Sequence, residues 1–350
     1  MKELKLAFVG FGTVAQGCAG HLVRKREFLE QAFGLRYKTV AISDPVKGVL
    51  QNESEGIDLS QALTLIKKGT RLEGMKDRAG LSSIDIIKTS GADVMIESTW
   101  TNLKDGEPGL GHIVAALENG IDVATSNKGP VALCFKKLHS LAHSKGRALR
   151  FESTVMSGTP VLNLHEFCLP GTRITGLKGI LNGTTNYILT EMANGRSYEQ
   201  ALKQAQELGY AESDSSGDVE AFDPAAKMTI LANVLMNADL EFDEVEREGI
   251  SRIRIEDIEK AARTSKRLKL IASASRDEKG CVKAGVKPTL ISDSEILAHI
   301  GGVMNALQIS MDAQPDVTVI GPGAGGDSAG YGLLCDILSI HRLRMIEKRR

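Results

Sequence analysis

The feature that most constrains the fold of this chain is a glycine-rich turn between a predicted strand and a predicted helix. Residues 4–9 form a continuous apolar run, as expected of a strand buried on both faces. Gly10, Gly12 and Ala15 follow in the pattern G-x-G-x-x-A, and helical spacing begins behind them. In such a turn the second glycine lets a pyrophosphate approach the backbone at a helix N-terminus. Since strand, turn and helix occur together, the sequence predicts a dinucleotide-binding domain.

The acidic residue that should meet the cofactor ribose lies at an unusual spacing. A second apolar strand, residues 39–43, ends at Asp44, where a carboxylate normally binds the ribose 2′-hydroxyl and favours NAD. Asp44 lies 29 positions after Ala15, against roughly 20 in the standard fingerprint, so the intervening helix or its loop should be long. Lys47 follows closely and could instead meet the 2′-phosphate of NADP. The sequence leaves the choice between NAD and NADP open.

The remainder of the first half alternates between short apolar runs and helical segments, which predicts a parallel sheet. A late strand followed by a second glycine turn indicates that the chain returns to this domain. We therefore predict an α/β fold with a Rossmann-type, doubly wound parallel sheet in residues 1–151, rejoined by 322–350, and a second, α+β substrate domain in residues 152–321. The further strands are expected at 93–97, 121–125, 147–152 and 317–320, and the further helices at 111–119, 132–145 and 329–343.

Composition excludes several classes of protein. The formal charge is −1, so no overall positive field would attract nucleic acid. The apolar run at the N-terminus is too short for a signal peptide or a membrane span. The five cysteines are widely spread and form no C-x-x-C pair, as expected of reduced core thiols in a cytoplasmic protein. We expect a small-molecule substrate and neither a nucleic-acid nor a membrane partner.

Polar residues follow two of the predicted strands at the edge of the sheet where ligands bind. Ser98 and Thr99 come after the strand at 93–97. Lys128 comes after the strand at 121–125 and precedes Gly-Pro, a position in which a lysine is either functional or an ordinary surface charge. These three residues are candidates for the nucleotide site.

The middle third concentrates hydroxyl, amide and acidic side chains. The segment Asn182-Gly183-Thr184-Thr185 follows a strand-like run and precedes a helix, which suits either a small polar substrate or a simple helix cap by one of the threonines. An acidic stretch then ends in Asp223-Pro224, typical of an N-cap and a first helical residue. Lys227 falls one turn into that helix, beside apolar residues. A buried lysine there could exchange a proton with an alcohol or a carbonyl oxygen, whereas a solvated loop with a surface lysine is the alternative.

Taken in this order, the motifs resemble those of the homoserine dehydrogenase family over nearly the full chain. The resemblance rests on G-I-L-N-G-T-T-N-Y-I-L at 179–189, on G-Y-A-E-x-D at 209–214 with D-V-E-x-x-D-x-x-x-K at 218–227, and on G-x-G-A-G at 321–325. It implies the reversible, NAD- or NADP-dependent oxidation of L-homoserine to L-aspartate 4-semialdehyde, within threonine, methionine and isoleucine biosynthesis. It also implies a homodimer formed through the substrate domain. Many bacterial members carry a C-terminal regulatory domain, which we do not expect here.

The resemblance also implies roles for individual residues. It assigns Lys227 as general acid and base, with Lys128 near the reacting carbon and Asp223 orienting Lys227. It implies a monovalent cation, such as Na⁺, at Glu152 and the carbonyls of Val155, Ser157 and Thr159; the loop has fewer glycines than in many members, which leaves the cation open. The implied cofactor contacts are Gly10, Phe11, Gly12, Thr13, Val14, Ser98, Thr99, Lys128 and Gly325, and the implied substrate contacts are Gly183, Thr184, Glu212, Asp218, Asp223 and Lys227.

Three other functions fit parts of the pattern. Another amino-acid dehydrogenase, such as an aspartate dehydrogenase, would share the nucleotide domain. An acylating semialdehyde dehydrogenase needs a nucleophilic cysteine, and no cysteine lies in a suitable turn. A nucleotide sensor without activity would retain the fold, but the lysines and Asp223 argue against it.

Overall fold

The computed structural model describes residues 3–72 and 81–347, and its contacts divide the chain into two compact units. The first unit comprises Met1–Gly158 with Gly325–Arg350, and the second comprises Thr159–Ala324. The strands are β1 Leu4–Val9, β2 Tyr37–Asp44, β3 Gly48–Gln51, β4 Val94–Glu97, β5 Asp122–Thr125, β6 Leu149–Arg150, β7 Ile174–Ile180, β8 Glu246–Arg247, β9 Lys266–Arg276, β10 Val282–Ser292, β11 Met304–Met311 and β12 Val317–Pro322. The helices are α1 Thr13–Arg24, α2 Arg26–Phe33, α3 Leu59–Lys67, α4 Ser83–Thr89, α5 Gly109–Glu118, α6 Lys128–Ser144, α7 Leu162–Cys168, α8 Gly183–Ala193, α9 Tyr198–Glu207, α10 Ser216–Val219, α11 Phe222–Leu235, α12 Ile255–Arg263 and α13 Gly326–Glu347.

The first unit is built on a six-stranded sheet in the order β3-β2-β1-β4-β5-β6. The strands from β2 to β6 are parallel to their neighbours, whereas β3 pairs antiparallel with β2 at the edge. The predicted doubly wound α/β fold is confirmed, and β3 is an addition to the predicted set. The chain reverses its direction of progress across the sheet between β1 and β4, and ligands bind at the carboxyl ends of the strands beside such a reversal.

The unusual spacing between the glycine turn and Asp44 has a simple structural cause. A second helix, α2, follows α1 after the single residue Lys25. Gly34 ends α2 in the left-handed conformation, with a φ of +67°. The extra helix adds the residues that place Asp44 beyond the standard distance, yet Asp44 still lies at the carboxyl end of β2.

Glycines let α1 and α13 approach each other within the first unit. A Cβ at Gly17 would overlap the carbonyl oxygen of Gly326, and a Cβ at Gly330 would overlap the backbone of Gly17 and Cys18. The predicted helix at 329–343 is longer in the structure, where α13 covers Gly326–Glu347. The returning segment therefore packs backbone to backbone against the helix that follows the glycine turn.

The second unit contains a sheet in the order β12-β11-β7-β9-β10-β8, antiparallel apart from the short β10–β8 pair. This mixed architecture confirms the predicted second α+β domain. Almost every side chain of α11 is buried, because the helix packs against the sheet strands β7 to β10. Residue Lys227 lies within this buried helix.

The structure bears on two expectations from composition, one about the cysteines and one about membrane spans. All five cysteines are free, as expected, but only Cys18 is fully buried, and Cys168 and Cys281 are exposed, so the prediction of core thiols is wrong for these two. Within residues 3–72 and 81–347, every helix is too short or too polar to cross a lipid bilayer.

The close approach of α1 and α13 makes Gly17 sensitive to substitution. We expect Gly17→Ala to lower the free energy of unfolding by about 2 kcal/mol, because the new methyl group forces two backbones apart. Gly20→Ala on the same helix is the matched control, since its Cβ would meet no backbone and only the end of the Arg24 side chain, at 2.9 Å. The urea midpoints of the two variants, monitored by circular dichroism, are compared. Equal midpoints for both variants would contradict the proposed packing.

Candidate active site

The glycine turn of the first unit has the geometry that a phosphate-binding turn requires. Gly10 has a φ of +81°, and a Cβ on it would come within 2.7 Å of the Ser98 backbone. A Cβ on Gly12 would have no atom from another part of the chain within 4 Å, which leaves space for a ligand. Gly12 also begins α1 without a side-chain cap, and the first turn carries no acidic residue. The N–H groups at this helix end are thus suited to an anion.

The residues on either side of Gly12 differ in their exposure to solvent. Phe11 is fully buried and packs edge to face on Phe8, with ring centroids 5.5 Å apart. Thr13 is exposed and Val14 is half-buried at the start of α1. Phe11 can therefore contribute only through its backbone, whereas Thr13 and Val14 can contact a bound nucleotide.

Asp44 is held firmly beside the glycine turn. Its Oδ2 accepts the backbone N–H of Phe11 at 2.8 Å, and its Oδ1 accepts those of Val46 and Lys47 at 2.9 and 2.8 Å. Burial acts to raise the pKa of Asp44, but these three bonds and the nearby Lys47 ammonium outweigh it and lower the pKa below its usual value. The carboxylate is therefore ionised at neutral pH.

A buried carboxylate that the sequence did not single out organises the ends of β4 and β5. Glu97 is fully buried and accepts from the hydroxyl groups of Thr99 and Thr125, the latter at 2.8 Å, and from the Thr99 N–H. The Asn127 amide donates to the Thr99 hydroxyl at 3.2 Å. Ser98 donates to the carbonyl of Gly10 at 3.3 Å. The structure thus joins Ser98 and Thr99 to the nucleotide turn.

Lys128 is the first residue of α6. The helix expected to begin at residue 132 begins at Lys128, capped by Asn127, whose side chain accepts the Gly129 N–H at 3.1 Å. Pro130 is tolerated because the first turn of a helix has no intrahelical use for its N–H. Lys128 is half-buried at this helix end. Gly325, with a φ of +118°, directly precedes α13 in the same unit.

In the second unit, Asn182 links the main polar residues. Its Nδ2 donates to Asp218 Oδ1 at 2.6 Å and to Asp223 Oδ2 at 2.8 Å. Its Oδ1 accepts the Thr185 N–H at 2.9 Å and so caps α8, which corrects the expectation that Thr184 or Thr185 would be the cap. Asn182 belongs to the motif at 179–189, but it is not among the substrate contacts that the resemblance implies.

Lys227 is a buried ammonium that faces this group. Its side chain is 8% exposed, and Nζ donates to Asp223 Oδ2 and to the Leu181 carbonyl, each at 2.7 Å. A buried charge needs such partners, because transfer from water without them is very unfavourable. The alternative of a surface lysine on a solvated loop is therefore wrong.

Asp223 does not cap its helix as predicted. The helix α11 begins at Phe222, after Ala221, which has a φ of +65°. Asp223 lies in the first turn, where its carboxylate accepts from Lys227 and Asn182. These contacts, which local sequence patterns do not reveal, take the place of the N-cap role that an Asp-Pro pair typically indicates.

Asp218 has an environment that disfavours its charge. Burial raises the pKa of Asp218, and the adjacent Asp223 raises it further, while the Asn182 amide, the Thr184 hydroxyl and the Lys227 charge act in the opposite direction. The net pKa is raised. Asp218 is thus a carboxylate at which a cationic ligand group would be strongly stabilised.

The remaining substrate candidates surround α8 and the segment before α10. Gly183 is the first residue of α8, where a Cβ would come within 2.7 Å of the Val303 carbonyl. The Thr184 hydroxyl donates to the Tyr210 carbonyl at 2.8 Å. Glu212 is exposed, and its backbone carbonyl accepts from Gln206 at 3.3 Å. The structure therefore brings Asp218, Asp223 and Lys227 together, with Glu212 outside their direct contacts.

The residues implied for a cation do not all belong to one unit. Glu152 is buried in a short 3-10 turn, and Val155 and Ser157 follow it in the first unit, Ser157 with a φ of +59°. The Ser157 hydroxyl is buried without a hydrogen-bond partner. Thr159 belongs to the second unit, where its hydroxyl donates to the Pro322 carbonyl at 3.2 Å. In the described part of the chain, no three His, Cys, Asp or Glu side chains form a metal-binding group.

Comparison with known proteins gives a consistent result. The family model described as homoserine dehydrogenase matches residues 160–338. An NAD(+)-dependent homoserine dehydrogenase of Pseudomonas canavaninivorans is 40% identical over 98% of this chain and 97% of its own. The crystal structure of a putative homoserine dehydrogenase from Archaeoglobus fulgidus matches with a TM-score of 0.86 and 38% identity, over 97% of this chain and 99% of its own. A hyperthermophilic archaeal homoserine dehydrogenase in complex with NADPH matches with a TM-score of 0.83 and 28% identity, over 97% and 98%.

The raised pKa of Asp218 predicts that this carboxylate costs stability. The folded state binds the Asp218 proton more tightly than the unfolded state, so its contribution to stability is present in acid and is lost as the pH rises through the folded pKa. We expect Asp218→Asn to raise the urea midpoint at neutral pH, with a smaller gain in acid.

Asp214→Asn is the matched control for this experiment. Asp214 is exposed, and bonds from Ser216 lower its pKa, so its substitution should give no gain. The interpretation of Asp218 would be wrong if its amide variant were no more stable than wild type at neutral pH.

Proposed function

Because the chain belongs to the homoserine dehydrogenase family, it is an NAD(P)-dependent oxidoreductase that acts on a CH–OH group, and we propose how its residues perform that reaction. The substrate pair is L-homoserine and L-aspartate 4-semialdehyde. The observation that carries the proposal is the buried contact of Lys227 with Asp223 and Leu181, beside the Asn182 bridge. This membership excludes the three other functions considered from the sequence.

The first unit holds the nucleotide. The uncapped N-terminus of α1 and the open space at Gly12 suit the pyrophosphate. Thr13, Val14, Ser98, Thr99, Lys128 and Gly325 are the further residues that we assign to the cofactor. When bound, the nicotinamide accepts a hydride from the alcohol carbon or returns it to the aldehyde carbon. Glu97 acts through Thr99 and so is a positioning residue.

The second unit holds the amino acid. Asp218, whose charge is poorly stabilised in the protein alone, binds the α-ammonium group, and Glu212 assists at the exposed edge. The backbone N–H of Thr184 and the other N–H groups at the start of α8 bind the carboxylate, because a helix N-terminus favours an anion. These opposite charges fix one orientation of the substrate and so direct its side-chain oxygen.

Lys227 moves the proton. An ammonium group has three N–H donors, two of which serve Asp223 and the Leu181 carbonyl. The third donates to the substrate oxygen. In the reductive direction Lys227 protonates the oxygen as the aldehyde becomes an alcohol, and in the oxidative direction its neutral amine takes the hydroxyl proton. We retain Lys128 as a second lysine for the same oxygen on the resemblance alone.

Three further properties remain proposals that the family suggests. A monovalent cation such as Na⁺ would be held by the buried Glu152 and by the carbonyls of Val155 and Ser157, and the Thr159 carbonyl is a further ligand on the resemblance alone. The buried Ser157 hydroxyl, which has no hydrogen-bond partner, supports a polar ligand in this segment. A homodimer through the second unit would appear in analytical ultracentrifugation. The five free thiols support a cytoplasmic location.

Replacement of Lys227 tests the proton-transfer role. We expect Lys227→Ala to lower kcat by about a hundred- to ten-thousandfold, with an unchanged dissociation constant for NADH. Trp100, the one tryptophan of the chain, directly follows Thr99, so its fluorescence reports NADH binding. Lys203→Ala is the control, because Lys203 is a solvent-exposed lysine of α9. An unchanged kcat in Lys227→Ala would refute the assignment.

We also propose that the enzyme prefers NAD to NADP. The Asp44 carboxylate is ionised and lies beside the glycine turn, where the adenosine ribose is expected, so it repels a 2′-phosphate. The Lys47 ammonium lies 3.7 Å from Asp44, to whose charge it is already paired. The negative charge at the end of β2 therefore determines the preference.

Asp44→Asn should shift the preference toward NADP. We expect the ratio of kcat/KM for NAD to that for NADP to fall by about tenfold or more, since the like-charge repulsion is removed. Lys47→Met serves as the comparison, and it should change the ratio little. A selective loss of NADP use in Lys47→Met, with no shift in Asp44→Asn, would show that Lys47 and not Asp44 reads the ribose.

A further inference from the structure

A second buried lysine in the second unit takes no part in the proposed reaction. Lys269 lies on β9 and is only 5% exposed. Its Nζ donates to Asn186 Oδ1 at 3.0 Å and to the Ile300 carbonyl at 2.6 Å. Both acceptors are uncharged, and they use two of the three N–H groups of the ammonium.

The charge of Lys269 is not neutralised by a carboxylate. Within residues 3–72 and 81–347, no acidic side chain forms an ion pair with it. Burial lowers the pKa of Lys269 to about 8, and the positive charge of Arg267 contributes to the decrease. A buried ammonium without a counter-ion gains more from an incoming anion than a solvated one does, because water no longer screens the pair.

Lys269 lines a cavity of about 430 Å³ that lies within the second unit. The C-terminal half of α8, the helix α12, the start of β9 and the 3-10 turn Ile296–His299 form its walls. The apolar side chains of Leu189, Met192 and Ile258 lie in its wall and are almost fully buried. The volume lies in the range of pockets that hold small molecules.

The other charges of the cavity wall leave an excess of positive charge. Arg267 pairs with Asp293 at 2.8 Å, and both side chains are about half exposed. Glu259 is exposed and pairs with Arg263 at 3.4 Å. Lys266, at the start of β9, is exposed. The acidic groups are therefore matched by neighbouring arginines, and Lys269 remains for a ligand.

We propose that this cavity binds a small aliphatic carboxylate, whose anionic group pairs with Lys269 and whose hydrocarbon part lies against Leu189, Met192 and Ile258. None of these residues belongs to the nucleotide or amino-acid sites described above. The site is separate from the proposed function and does not depend on it.

Calorimetry with isovalerate tests the proposal. This branched carboxylate is the probe, and isovaleramide, which has nearly the same shape without the charge, is its control. We expect saturable binding of isovalerate to the full-length protein and none of isovaleramide. Equal binding of the two compounds, or no saturable binding of isovalerate, would overturn the proposal.

Three variants locate the binding. Lys269→Met removes the charge at similar volume and should abolish the binding, whereas Lys266→Met, at the exposed edge of the cavity, should retain it. Lys227→Ala should also retain it, because Lys227 belongs to the amino-acid site. Retention in Lys269→Met, or loss in Lys227→Ala, would place isovalerate elsewhere.

A pH series gives a second test should Lys269→Met fail to fold. The wild-type affinity for isovalerate should fall by about tenfold per pH unit above the Lys269 pKa, since only the ammonium pairs with the carboxylate. His299→Gln serves as the control for the imidazole in the wall, and it should keep the same profile. An affinity independent of pH would contradict the proposal. The titratable and charged groups that face the cavity besides Lys269 are Glu259, Lys266, Arg267, Asp293 and His299.

Discussion

The site of this dehydrogenase depends on one side-chain amide. Asn182 donates one N–H to Asp218 and one to Asp223, and its oxygen caps α8. Two carboxylates that would otherwise repel each other are thereby held at one point, and one of them meets the Lys227 ammonium. Since an amide has two donors and one acceptor, no carboxylate or hydroxyl side chain could replace Asn182 in all three contacts.

The site combines a proton-transfer lysine, whose charge is paired, with a carboxylate, Asp218, whose charge is disfavoured. Asp223 is paired with the Lys227 ammonium, whereas Asp218 receives mainly neutral donors and keeps a raised pKa. A substrate ammonium supplies the missing charge. Part of the binding free energy of the amino acid therefore comes from relief of an unfavourable interaction, which is a common reason why binding sites lower the stability of a fold.

Sequence patterns predicted what short-range geometry determines. The turn from Gly10 onward is local, and it is present in the structure together with the helix predicted behind it. The sequence predicts a helix only from residue 132, whereas α6 begins at Lys128, because the first turn of a helix accepts proline. The Asn182 bridge could not be predicted by spacing, since its partners lie 36 and 41 residues away and meet it only in the folded chain.

Nicotinamide absorbance, measured with the purified protein, L-homoserine and each cofactor in turn, decides whether Lys227 serves this oxidation. We expect reduction that depends on homoserine, and faster reduction with NAD than with NADP. Cofactor binding without any homoserine-dependent reduction would show that Lys227 and its buried partners do not serve the oxidation of this alcohol.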